Sequence, residues 1–270
     1  SARVFGSAAF SGAINIVTRQ SGALMRHALA AEDAEGKSRW GGEAQVEGGS
    51  FGSVGADARV SVLVPWGKGK SDLSSSLSAG YARSDGGTDN SDFSKWHGYY
   101  QGALVSRYAD VDWQAGITSQ DYGANTFYSA RFPNQYEWTR RYMGSVQAQV
   151  RPFAMVENQT LRSLSFTPTV YAHRDVDHYQ LTRGQEGAAA GENYHRMDVY
   201  GASLNAQLDW CLGKTAAGVD VRKEHILSTS YGNPLAEAAW RPIHGTDRQY
   251  SREGNRTNTS LFLEHNIILG

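Results

Sequence analysis

The sequence is poor in cysteine, in proline, in long apolar runs and in net charge, and most of these shortages remove a class of protein. Cys211 is the only cysteine in 270 residues, so no intramolecular disulfide can form and no zinc site can be built on thiolates. With 26 basic against 27 acidic residues the formal net charge is −1, and no bulk field favours nucleic acid as a partner. Mean hydropathy is −0.50, and no apolar stretch approaches the ~18 residues of a spanning helix. A helical membrane protein is thereby excluded. A β-barrel is not, because its spanning strands are only half apolar. No secretory signal is visible, the first residue is Ser1 rather than Met, and the last residues, "SLFLEHNIILG", stop inside an apolar strand-like run. These ends read as those of a piece of a longer protein.

What the chain does have is glycine and aromatic residues: 30 Gly, 14 Tyr and 7 Trp against 6 Pro, a balance that leans to an all-β protein. The apolar pattern repeats every second residue. Val54, Ala56, Ala58, Val60 and Val62 alternate with Asp57, Arg59 and Ser61; Tyr142, Val146, Ala148 and Val150 with Arg141, Ser145, Gln147, Gln149 and Arg151; Leu204, Ala206, Leu208 and Trp210 with Asn205, Gln207 and Asp209. Strand side chains point alternately to opposite faces, so each segment has one apolar and one polar wall. The stretch Tyr99–Tyr108 is less clean and is placed by its neighbours.

The alternation predicts strands beginning near 39, 54, 71, 98, 112, 141, 163, 197, 215 and 256. Each runs ~9–13 residues, where strands of soluble domains usually run ~5–6 and ~9–11 tilted residues cross a bilayer. After a tight turn at Gly49–Ser53 the connections alternate in length. "PWGKGK" (65–70), "YAD" (108–110) and "CLGK" (211–214) are short and "PFAMVENQTLR" (152–162) is intermediate; the stretches 85–98, 124–141, 175–195 and 227–255 are long. Short turns on one rim and long loops on the other characterise outer-membrane barrels. Trp40, Trp66, Tyr81, Trp113, Tyr142 and Trp210 fall on or near strand ends, where interfacial aromatic girdles sit.

The stretch "VFGSAAFSGAINIVTR" (4–19) carries a small-residue turn and a β-branched strand, with Gly6, Ser7, Ala9, Gly12, Ile14, Asn15, Ile16, Val17 and Thr18 at the matching positions. It closely resembles the C-terminal end of the plug domain of TonB-dependent outer-membrane receptors, with Phe5 in place of the usual Tyr. "EAQVEGGSFGSVGADARVSV" (43–62) resembles that family's first barrel hairpin, and "DYGANTFYSARFPNQYEWTRRY" (121–142) a loop of vitamin-B12-type members from Bacteroidetes-like bacteria. The resemblance implies a transmembrane antiparallel β-barrel of about 22 strands closed by a plug. This chain would hold the end of the plug (1–20), a linker (21–38) and the N-terminal half of the barrel (39–270), about ten strands. It further implies residence in the bacterial outer membrane, contact with its lipid, and active import of a scarce nutrient, a corrinoid or an iron–siderophore. Partnership with the TonB–ExbB–ExbD complex would run through an N-terminal region outside this chain. Gly6, Ser7, Gly12, Ile14, Asn15, Ile16 and Thr18 are fold markers in this reading and carry no transport chemistry.

The candidate substrate contacts are aromatic and basic residues of the long loops: Trp96, Phe127, Tyr128, Arg131, Tyr136, Trp138 and Arg140, with Tyr179 and Trp240 beyond. Aromatics offer large contact area at low entropic cost, and Arg can hold a carboxylate or phosphate. The alternative is that these loops pack on one another. Asp85, Asp89 and Asp92 share one loop and suit calcium, which vitamin-B12-type members bind through aspartates of an early outer loop; they equally suit an exposed turn. In "HRDVDHY" (173–179), His173, Asp175 and Asp177 share a face of an extended chain and His178 lies close by, a geometry open to a metal and equally to a strand end. Asp57, Arg59, Gln147, Gln149, Arg151, Asn205, Gln207 and Asp209 form one polar wall. No catalytic arrangement stands out, so an enzyme is not expected, and no cofactor beyond calcium is indicated. Two other readings compete: an ungated structural or adhesive outer-membrane barrel, and a soluble carbohydrate-binding β-sandwich.

Overall fold

The computed structural model describes residues 38–66, 71–152 and 161–267. Nine long strands come first: β1 (Arg39–Gly48), β2 (Val54–Trp66), β3 (Ser71–Ser84), β4 (Phe93–Val105), β5 (Ala109–Asn125), β6 (Gln135–Val150), β7 (Leu161–Gln180), β8 (Asn193–Trp210) and β9 (Gly213–Ser228). Three two-residue strands, β10 (Asn233–Pro234), β11 (Arg241–Pro242) and β12 (Gln249–Tyr250), precede the last long one, β13 (Arg252–Asn266). The long strands form one antiparallel sheet in chain order from β1 to β9, then β13 and β10, while β11 and β12 pair as a separate hairpin. The protein is therefore all-β, built on a single large meander, and the described residues contain no second large sheet packed against it. Gly6, Ser7, Gly12, Ile14, Asn15, Ile16 and Thr18, and with them the segment 1–37, lie outside the described residues.

Sequence chemistry explains the corners. The β1–β2 turn closes with the Ser53 N–H on the Ser50 carbonyl at 3.2 Å. Its central residues Phe51 and Gly52 have φ of 59° and 62°, the left-handed pair that matches strand twist in a two-residue hairpin. At the opposite end, β8 and β9 are joined by Cys211 and Leu212 alone. β4 and β5 are joined by 106–108, closed by Ser106 N–H on the Ala109 carbonyl at 3.0 Å. The long connections, 85–92, 126–134, 181–192 and 229–251, all leave the sheet at the end where β1 meets β2.

Register assigns every strand residue to one of two faces. One row runs Val60, Leu77, Tyr100, Ala115, Gly144, Ala172 and Tyr200; the next position along each strand gives Ser61, Ser76, Gln101, Gln114, Ser145, Tyr171 and Gly201 on the opposite face. On the strands, every strongly exposed large apolar residue except Met143 belongs to the first face, including Trp40, Val60, Leu77, Val146, Val170, Leu204, Leu261 and Leu263. The second face is held by polar ladders, as where Ser76 Oγ accepts from Arg59 Nε at 2.8 Å and from Ser61 Oγ at 3.1 Å. Among the described residues the large apolar side chains are therefore exposed on one wall, and the other wall is polar, with buried atoms of Asp175, Asp177, Asp209, Arg222 and Asn258 left without a hydrogen-bond partner.

Four aromatics of the apolar face, Tyr81, Trp96, Tyr142 and Tyr200, fall on a slanted line, while Tyr100, Trp113, Trp138 and Tyr194 of the same face lie to either side of it. Tyr81 and Trp96 are paired on β3 and β4. Two strands on, their row reaches Arg140, and the aromatic stands two residues nearer the short-turn end, at Tyr142. Two strands further the Tyr142 row reaches Asp198, and the aromatic is again two residues on, at Tyr200. Two residues of rise per two strand spacings, ~6.8 Å over ~9.6 Å, corresponds to a line tilted by about 35° to the rows. From Tyr200 the apolar face of β8 continues through Ala202, Leu204, Ala206 and Leu208 to Trp210.

The strands exceed their sequence-read limits at the long-loop end: β4, β6, β8 and β13 begin at 93, 135, 193 and 252, against 98, 141, 197 and 256. There the apolar face carries only isolated aromatics, Trp96, Tyr136, Trp138 and Tyr194, set among charged and polar residues, so the aliphatic alternation fades while the hydrogen-bond ladder continues. In β7 the pairing with β6 skips from Gln147↔Thr169 to Val150↔Phe166 beside Pro168, which has no N–H to give.

Candidate functional site

Beyond the slanted aromatic line the sheet ends in a rim of tied loops, and the ties place the polar side chains. Asn90, with φ of 50°, donates through Nδ2 to the carbonyls of Pro133 at 3.1 Å and Gln135 at 2.6 Å. Its own carbonyl accepts the Asn125 N–H at 3.0 Å. Arg183 grips Asp92 with both ends of its fork, at 2.6 and 2.9 Å, and lies over the Tyr136 ring at 4.8 Å. Three connections, 85–92, 126–134 and 181–192, are thus locked together. The Arg183 hydrogen bonds hold the Asp92 carboxyl below its ordinary value, outweighing burial.

On the polar face, under this rim, a cavity of about 660 Å³ opens between β5, β6, β7, β8 and β9. Glu137 stands at its edge and accepts hydrogen bonds from the Tyr122 and Tyr128 hydroxyls, which are 3.1 Å from each other. Burial first, then Glu137, pushes the Tyr128 hydroxyl up to about 12, so it stays a donor throughout the physiological range. Phe127, Tyr128 and Tyr179 stack edge to face, with centroids 4.8 and 5.7 Å apart. The Tyr179 hydroxyl donates to Gln135 Oε1 at 2.5 Å, and Gln135, 1% exposed, gathers the 126–134 loop by donating to the Phe132 carbonyl at 2.7 Å.

Deeper in the cavity are Arg141, Asp175, Asp177 and His195. Arg141 pairs with Asp175. Ser228, fully buried, accepts the N–H groups of Ser230 at 2.9 Å and Tyr231 at 2.7 Å. Its hydroxyl proton is thereby aimed at His195 Nδ1, 2.7 Å away. That leaves His195 Nε2 as the N–H, facing Asp177 Oδ1 across 4.0 Å. Asp175 Oδ2 and Asp177 Oδ1 are buried without a hydrogen-bond partner. The cavity wall is therefore aromatic at its lip and acidic within, where Asp175 Oδ2 and Asp177 Oδ1 face the Nε2 atoms of His173 at 3.5 Å and His195 at 4.0 Å without a hydrogen bond.

The structure sorts the sequence-read candidates into three groups. Phe127, Tyr128 and Tyr179 come together at the cavity lip. Trp96, Trp138 and Arg140 also come together, but on the apolar face, where Arg140 lies over Trp138 at 4.9 Å and Trp96 at 5.9 Å. Tyr136 serves the Arg183 latch. Arg131 lies over Phe132 at 5.5 Å, and Trp240 donates to the Leu235 carbonyl at 3.1 Å in the 229–251 connection. Asp85 pairs with Arg83 at 2.6 Å and Asp92 with Arg183, and no three acidic, His or Cys side chains among the described residues gather to hold a metal. His173 and Asp177 share the polar face with Asp175, while His178 takes the other, stacked on Tyr194 at 4.1 Å and bonded to Glu192 at 2.8 Å. Burial opposes ionisation of Glu192, but the Gly187 N–H, His178 and the Tyr194 hydroxyl together hold its carboxyl below the usual range. Glu137, Tyr122, His195 and Ser228 were not singled out from sequence; the alternation of β5, β6 and β8 onto the polar wall was the available signal.

Fold and site define an all-β protein of one large antiparallel sheet with a polar, partly acidic cavity at its long-loop end. No protein-family model matches the chain, and a search of curated proteins returns no match.

Proposed function

We propose that the chain is part of a TonB-dependent receptor of the bacterial outer membrane, its sheet belonging to a transmembrane β-barrel, and that it imports a scarce, bulky nutrient. The observation that carries the reading is the pairing of an exposed apolar face with a slanted aromatic line. Ten residue steps separate Tyr200 from Trp210, ~34 Å along the strand and ~24–28 Å along the normal at a tilt of 35–45°. Outer-membrane barrels have a strand tilt of ~35–45° and an apolar band of ~25 Å, and both agree with this sheet. Rim-segregated loop lengths and the plug-like stretch 4–19 support the same reading. Leu261 and Leu263 are 78% and 77% exposed on that face, as lipid-facing residues are, and an ungated structural barrel gives no role to the cavity.

In this reading the polar face lines the lumen and the cavity at Glu137, Asp177 and His195 meets ligand arriving from outside. The ligand is a corrinoid or an iron chelate. The acidic wall favours a ligand rich in hydrogen-bond donors, such as the side-chain amides of a corrinoid, over a multiply anionic chelate, because, of the two arginines that border the cavity, Arg141 is already paired with Asp175 and Arg140 lies over Trp138 and Trp96 on the opposite face. TonB–ExbB–ExbD supplies the work of release. The test is uptake of radiolabelled corrinoid and of ferric chelates by cells whose full-length receptor is present, deleted, or present without TonB. Uptake that needs both the receptor and TonB supports the proposal; uptake indifferent to TonB overturns it.

A further inference from the structure

A second cavity, of about 860 Å³, lies on the opposite, apolar face of β6, β7 and β8, roofed by the β11–β12 hairpin. Its floor carries Arg140, Arg174 and Arg196. Arg140 stands two residues beyond Tyr142 on β6, Arg196 four residues beyond Tyr200 on β8, and Arg174 lies between them on β7, opposite Tyr142. Strand spacing and rise set their Cα atoms about 8–10 Å apart, close enough for three long side chains to converge on one anion. The group is not neutralised from within. Asp198, 4% exposed, is shared by Arg174 and Arg196, and Arg140 Nε is buried with no hydrogen-bond partner. Three guanidinium groups face one carboxylate. The acidic neighbour across the floor, Glu192, is held by His178 at 2.8 Å and Arg248 at 3.6 Å. The roof contributes Ile243, His244 and Thr246, and no acidic side chain lines the cavity except Asp198.

We infer that this arginine cavity binds the phosphate of a lipid headgroup in the outer leaflet. The inference rests on the outer-membrane reading, for that reading puts the Tyr142–Tyr200 line at the lipid–water boundary and the arginines just beyond it, where headgroup phosphates lie. Guanidinium forks match phosphate oxygens in pairs, and the apolar face directly below accepts the acyl chains. Arg140 and Val176 border both cavities, but the β11–β12 roof with Trp138, Tyr142 and Tyr200 opens this one on the apolar side of the sheet, so its ligand enters from the membrane and is not the transported nutrient.

The test uses the full-length receptor in non-ionic detergent and counts retained lipid by native mass spectrometry. The probes are dioleoyl phosphatidic acid, dioleoyl phosphatidylcholine and inorganic phosphate. The expected result is at least a tenfold preference for phosphatidic acid over phosphatidylcholine, lost in the double variant Arg140→Gln/Arg196→Gln and kept in Arg59→Gln on the polar face. Thr246→Glu, which adds an anion to the roof and leaves the strands untouched, should also lower retention at least fivefold, guarding against misfolding of the arginine variant. Phosphatidic acid retained equally by both cavity variants overturns the site alone. Inorganic phosphate binding as tightly as the lipid overturns the headgroup assignment. A receptor that remains folded and monodisperse without detergent overturns the outer-membrane reading, and the lipid site with it.

Discussion

Adjacent residues Leu204 and Asn205 offer the sharpest test of what lies against the apolar face. Leu204 belongs to that face and is 45% exposed; Asn205, on the same strand, points to the polar wall. Leu204 is four residues from Tyr200 and six from Trp210, which places it near the middle of the apolar band. A lysine there costs ~2–4 kcal/mol if the band is in hydrocarbon, a factor of ~30 to ~1,000 in the unfolding equilibrium. If the band faces water, a half-exposed surface substitution costs within ~0.5 kcal/mol. Asn205→Lys, one residue along, should fall in that small range in either case, because a shift of one residue exchanges the faces. The assay is reversible urea unfolding of the full-length protein in phospholipid vesicles, followed by tryptophan fluorescence. A difference of at least ~1.5 kcal/mol between Leu204→Lys and Asn205→Lys is expected. Equal effects, or a larger cost at Asn205, would refute the assignment of faces on which the functional proposal rests.

Four further outcomes follow from the rim and the sheet. The Asp92–Arg183 fork is partly exposed on both sides, 35% and 40%, so its coupling is discounted to about 1 kcal/mol; a double-alanine cycle read by hydrogen exchange at the Gly123 and Asn125 amides should show about fivefold faster opening, and additive effects would remove the latch. Because the folded Asp92 carboxyl sits below its unfolded value, the latch is fully present above pH ~3.9 and is lost as pH falls through the lower folded value, so exchange at these amides should accelerate only under strong acid. Glu137→Gln weakens the acceptor for two tyrosine hydroxyls, at ~1.5–3 kcal/mol for charge-assisted bonds, and should raise the corrinoid Kd about tenfold by equilibrium dialysis, with Tyr128→Phe smaller; unchanged affinity in both would move the ligand elsewhere. Gly201→Val drives a Cβ to 2.1 Å from the Tyr171 ring and should cost ~1–3 kcal/mol by thermal melting, whereas Gly98→Ala, with its nearest contact at 3.6 Å, should be near neutral.

The all-β class, the meander of long strands and the rim alternation were legible because period-two burial leaves a direct trace in sequence. Leu204 to Trp210 and Val54 to Val62 read correctly to the residue. The trace failed in two places for identifiable reasons. In β4 the apolar face carries Gly98 and Gly102, and the indole of Trp113 from the next strand covers Gly102, so closely that a Cβ there would lie 2.4 Å from the ring. The face is apolar in space but blank in the local sequence. At the long-loop ends the strands run on for several residues with charged and polar side chains set among isolated aromatics, as at Arg196, His195 and Tyr194, and no aliphatic alternation marks the pairing that continues there.

The site was harder to read for a geometric reason. Loop aromatics were grouped by proximity in sequence, but a strand divides its neighbours between two cavities. Trp138 goes to one cavity and Glu137, Thr139 and Arg141 to the other, with Arg140 between them bordering both. Composition sees one basic–aromatic cluster; the sheet makes of it a cationic cavity on the apolar side and an acidic one on the polar side. That division carries the chemistry. Arg140, expected to greet an anionic nutrient, instead lies over Trp138 and Trp96 on the apolar face, and the polar wall is left to carboxylates, the Asp175-paired Arg141, a histidine and tyrosine hydroxyls. If the proposed function holds, alternate residues of the same three strands separate a lipid-facing site from a ligand-facing one.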